Sequence, residues 1–66
     1  MRIDMRKHGL VPLKTYEAKN KLTGKSFGVY KIGALGGLNP INRYNDRKTE
    51  IIRSIDRFDF IEKEGI

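Results

Sequence analysis

LKTYEAKNKLTGKSFGVYKI, residues 13–32, is the stretch on which the reading of this chain turns. Leu13, Thr15 and Tyr16 on one side and Phe27, Val29, Tyr30 and Ile32 on the other supply the β-branched and aromatic content of two strands. Between them, Lys21-Leu22-Thr23-Gly24 offers a loop whose glycine can take a positive φ, so the stretch predicts a β-hairpin of residues 13–20 and 25–32. A four-residue loop pairs Asn20 with Lys25, Ala18 with Phe27, Tyr16 with Val29 and Lys14 with Lys31. Tyr16 and Tyr30 then fall on opposite faces, although a one-residue shift of register would exchange the faces of one strand.

Upstream, Met1, Ile3 and Met5 alternate with Arg2, Asp4 and Arg6, which predicts a strand over residues 1–6 before His8-Gly9 and Pro12 interrupt it. Downstream, Gly33, Gly36, Gly37, Asn39-Pro40 and Asn42 mark residues 33–45 as a long loop. The following segment predicts a helix over about residues 46–57, capped by Asp46 or Asn45, with Glu50 in its first turn and Ile51, Ile52, Ile55 and Phe58 on one face. The expected fold class is α+β: a small antiparallel sheet built from strand 1–6 and hairpin 13–20/25–32, packed with one C-terminal helix. Thr49, the isoleucines and the Phe58-Asp59-Phe60 alternation also carry strand character. The alternative is therefore an all-β small barrel in which residues 57–62 form a strand.

Sixty-six residues form one small basic domain, 1–66, with 38% hydrophobic residues and no cysteine. Disulfides and thiolate zinc sites are excluded. A core of this size supplies only about 3–5 kcal/mol, so association is the remaining staple, and a homodimer or a chain that works bound to a partner is expected. No apolar run approaches a membrane span or a signal peptide, which reads as a cytoplasmic protein with no membrane partner.

The net charge of +6 is uneven. Residues 1–33 carry eight basic side chains against two acidic ones, whereas residues 34–66 carry six of each. Such asymmetry points to a polyanion facing the front portion.

Gly24-Lys25-Ser26 resembles the end of a phosphate loop, but Lys19 stands where the first glycine belongs and the segment joins two strands. Gly33-Ala34-Leu35-Gly36-Gly37 lacks dinucleotide-loop spacing and reads as flexibility. His8 is the sole histidine and has no partners for a metal site or a nucleophilic triad. Asp56, Asp59, Glu62 and Glu64 interleave with Arg53, Arg57 and Lys63, the pattern of a solvated face. Neither an enzyme nor a cofactor is expected.

Lysine with tyrosine is the remaining signal. Lys14, Lys19, Lys21, Lys25 and Lys31 lie along the hairpin with Tyr16 and Tyr30 among them, and Arg43, Tyr44, Arg47 and Lys48 offer a second contact where the loop meets the helix N-terminus. Lysines neutralise phosphates and release counterions, while exposed rings stack on bases. The expected function is a small non-enzymatic nucleic-acid-binding accessory protein, binding DNA or RNA through this hairpin and loop. The alternative is an inhibitor or adaptor of phage or mobile-element type that docks its basic surface on an acidic host protein, and a third reading is a minor structural component of a larger assembly.

Overall fold

The computed structural model of the chain describes residues 3–63. Strands β1 (Thr15–Asn20), β2 (Ser26–Ile32), β3 (Leu38–Pro40) and β4 (Phe58–Glu62) form an open antiparallel sheet in the order β3-β2-β1-β4. One short helix, α1 (Lys48–Arg53), and three 3₁₀ turns at Met5–His8, Arg43–Asn45 and Ile55–Arg57 complete the α+β architecture. The open sheet is not a closed barrel.

The hairpin forms where the sequence places it, and its turn is built as expected. The Asn20 N–H donates to the Lys25 carbonyl at 2.9 Å, and Asn20 Oδ1 accepts from the Leu22 and Thr23 N–H groups. Gly24, at φ +71°, closes the turn on the Asn20 carbonyl. Beyond the turn the expected register fails. Phe27 and Gly28 together oppose Ala18, a bulge that Gly28 accommodates at φ +105°. From there Glu17 faces Val29, Tyr16 faces Tyr30 and Thr15 faces Lys31. The two tyrosines therefore share one face, and both are buried.

Three other expectations are corrected. Residues 1 and 2 lie outside the described residues, and the rest of the expected strand 1–6 runs into a 3₁₀ turn. Asp4 causes this: its carboxylate accepts the Arg6 N–H and grips the Arg6 guanidinium, closing the chain into a turn where the alternation suggested an extended run. The loop expected over residues 33–45 contains β3. The helix expected to reach residue 57 stops at Arg53, because the β-branched Thr49, Ile51, Ile52 and Ile55 propagate a helix weakly and Phe58 and Phe60 find an edge beside β1. Residues 58–62 take the strand assignment that the phenylalanine alternation had kept open.

The core gathers on one face of the sheet. Met5, Leu10, Tyr16, Ala18, Tyr30, Ile32, Leu38, Ile51 and Phe58 form it, with Ile3, Phe27, Ile55 and Phe60 packed around them. Buried hydroxyls need partners, and these have them. Tyr16 OH accepts from the Val11 N–H at 3.0 Å, while Tyr30 OH donates to the Phe27 carbonyl at 3.1 Å and accepts from the Arg47 N–H at 2.7 Å. Among the described residues no helix is long and apolar enough to cross a membrane.

Candidate nucleic-acid interface

Arg47 is the side chain around which a site is built. The Tyr30 hydroxyl holds its backbone, and its guanidinium lies 5.1 Å from the centroid of the Phe27 ring, a cation–π contact. Phe27 is in turn fixed edge-on against Phe58, with ring centroids 4.8 Å apart. The bulge brings this about by placing Phe27 beside the core at the turn end of the hairpin. Lys25, Ser26, Phe27, Gly28 and Arg47 line one open cleft of about 260 Å³. Among the described residues no carboxylate lines it, and neither Lys25 nor Arg47 forms an ion pair with another of them.

Arg43 and Tyr44 sit on the 3₁₀ turn just before Arg47, started by Asn42, whose side chain accepts the Tyr44 N–H at 3.0 Å. Tyr44 is 98% exposed, so both faces of its ring are open to a ligand. At the helix N-terminus, where a second contact is expected, one of the backbone donors is already used. α1 has only six residues, and the Asp46 carboxylate already accepts the Lys48 N–H at 3.0 Å.

The other expected contacts disperse. Tyr16 and Tyr30, expected as stacking rings, are 6% and 1% exposed and belong to the core, so no base reaches their faces. Lys31 opposes Thr15 at the far end of the hairpin, six residue steps along the strand from Lys25, about 20 Å. Lys14, exposed, precedes β1 at that same far end. Lys19 lies on the sheet face away from the core, between Ser26 and Asp59. Exposed Lys21 at the turn reaches Asp59 at 3.9 Å, the weak end of surface ion pairing. The five hairpin lysines are thus not one strip.

Nor does the charge asymmetry of the sequence become an asymmetry of halves in space. β4, from the charge-balanced rear of the chain, pairs with β1 from the basic front. Glu17 receives Lys63 at 3.3 Å and the Ser26 hydroxyl at 2.9 Å, which together hold its carboxyl below the usual range, the serine contributing most. Asp4 is lowered to about 2, chiefly by its hydrogen bonds from the Arg6 side chain. Burial raises the Tyr30 hydroxyl.

Phe27 is the site residue that the sequence reading missed as a platform for Arg47. Its signal was present: a glycine inside a strand, directly after an aromatic residue, marks a bulge. Among the described residues no cluster of His, Cys, Asp or Glu is arranged to hold a metal. The chain matches no protein-family model, no curated protein and no solved structure, so its own residues carry the functional argument.

Proposed function

We propose that the chain is a small nucleic-acid-binding accessory protein that grips phosphates between Lys25 and Arg47 and receives a base on Tyr44. The convergence of Lys25 and Arg47 on one cleft that no described carboxylate lines supports this reading. Those two cations come from segments far apart in sequence, and neither forms an ion pair with a described residue, which favours a ligand anion between them. Arg43 and Lys48 flank the cleft in sequence and add charge without demanding a base identity. Tyr44 supplies a ring for an unpaired base, worth about 1–3 kcal/mol, and so favours single strands over duplex.

Fluorescence anisotropy of labelled single-stranded DNA, single-stranded RNA and duplex DNA, at roughly 50 and 200 mM salt, tests it. The expected result is a single-strand affinity that falls linearly in log–log form with salt and drops at least tenfold on Arg47→Glu or Lys25→Glu. Lys14→Glu, at the other end of the hairpin, has a smaller effect. Affinity indifferent to salt, or lost equally with Lys14→Glu and Lys25→Glu, would overturn the assignment.

A further inference from the structure

The two edges of the sheet differ in what they leave open. At the β3 edge, Ile41 donates to Val29 and Gly33 to Gly37, so the odd-numbered residues face β2, and Leu38 and Pro40 turn their backbone outward. Pro40 has no N–H, which blunts that edge. At the β4 edge, Lys21 donates to Arg57 and Lys63 to Thr15, each at 2.8 Å, so residues 57, 59, 61 and 63 face β1. Phe58, Phe60 and Glu62 therefore turn outward. The Phe58 N–H is used by the Ile55 carbonyl, but among the described residues no such bond caps Phe60 or Glu62. Phe58-Asp59-Phe60-Ile61-Glu62 contains no proline, and the charges that guard it are the two carboxylates of Asp59 and Glu62 rather than lysines.

We infer that β4 pairs antiparallel with β4 of a second copy of this chain, across a two-fold axis at Ile61, to make a continuous eight-stranded sheet. Charge selects this register. An axis at Asp59 sets Asp59 against its own copy, and an axis at Phe60 sets Arg57 against the partner's Lys63. An axis at Ile61 sets Asp59 opposite the partner's Lys63, twice by symmetry. Within one chain Asp59 lies 3.9 Å from Lys21 and Lys63 lies 3.3 Å from Glu17, so each group gains a second opposite charge. It also sets Phe60 opposite the partner's Glu62, so the outward N–H and C=O groups of both residues find partners. Ile61, 40% exposed, then meets the partner's Ile61 on the face away from the core.

The test is the mass of the full chain by analytical ultracentrifugation near physiological salt, where the two +6 chains are screened beyond about 8 Å. Wild type should sediment as two chains at high micromolar concentration. Asp59→Lys and Lys63→Glu should each weaken self-association at least tenfold, and an equimolar mixture of the two variants should restore a heterodimer, since both cross-axis pairs become opposite in sign. Loss of an internal contact alone cannot produce that restoration. In a chain without cysteine, Ile61→Cys should crosslink rapidly to its copy, because residues opposed in a non-hydrogen-bonded pair lie about 4.5 Å apart at Cα. Ile41→Cys, exposed on another strand margin, reports random collision. A one-chain mass throughout, no restoration on mixing, or equal crosslinking of the two cysteine variants would each overturn the inference; the first is also what an edge reserved for a different protein's strand gives.

Discussion

The two ends of the central hairpin use cations in opposite ways. At the end away from the turn, Arg6 and Lys63 are taken up by Asp4 and Glu17, and their charge holds the chain together. At the turn end Lys21 only reaches toward Asp59 at 3.9 Å, and Lys25 and Arg47 line a cleft without a carboxylate among the described residues, Arg47 lying on the Phe27 ring. Lys25 and Arg47, which form no ion pair with a described residue, are the cations most open to a ligand.

The sharpest way to break this comparison is at Gly36. It sits at φ +89°, its carbonyl accepts the Met5 N–H at 2.9 Å, and a Cβ there would collide with the Asp4 carboxylate. Gly36→Ala should cost about 2–3 kcal/mol in chemical denaturation, since the strained backbone and the Asp4–Arg6 grip fail together. Binding by the surviving folded fraction should remain, because the turn end is untouched. Tyr30→Phe comes next. It removes the hydroxyl that holds the Arg47 N–H, and should cost about 1–2 kcal/mol of stability and several-fold in affinity, read by denaturation and anisotropy.

Acid separates the two ends further. Asp4 titrates at about 2 when folded, below its ordinary 3.8, so its contribution is present above the ordinary value and is lost as pH falls through the folded one. Glu17 is lowered in the same sense. The thermal midpoint should therefore fall as pH drops from about 4 toward 2, and Asp4→Asn should flatten that slope. The smallest effect concerns Leu13. Val11, Pro12, Leu13 and Lys14 form a turn closed by the Lys14 N–H on the Val11 carbonyl, with Leu13 at φ +69° where a type II turn prefers glycine. Leu13→Gly should raise stability by up to about 1 kcal/mol, seen as a higher denaturation midpoint, without altering binding.

Much of the hairpin was legible because turn chemistry is local: Asn20, Thr23 and Gly24 act within a few residues of one another. The tyrosine faces were not, because a single bulged residue at Gly28 reverses the consequence of an otherwise correct turn. Strand β4 was half legible. Its isoleucines and phenylalanines satisfy helical spacing as well as strand alternation, and only the presence of β1 as a neighbour decides between them. Of the candidate contacts, Lys25 and Arg47 share a cleft because the fold returns residue 47 to the hairpin turn, a long-range event that charge counting along the chain does not register. Arg43 and Tyr44 are near Arg47 only through the 3₁₀ turn that precedes it.

The adjacency of β1 and β4 also sets a timetable for synthesis. Among the described strands the earliest made is flanked on one side by the latest, so residues 15–20 are synthesised about forty residues ahead of their neighbour. Until residue 62 is free, one side of β1 stands unpaired, and the nascent chain passes through a period when any strand of suitable pattern can occupy the vacant position.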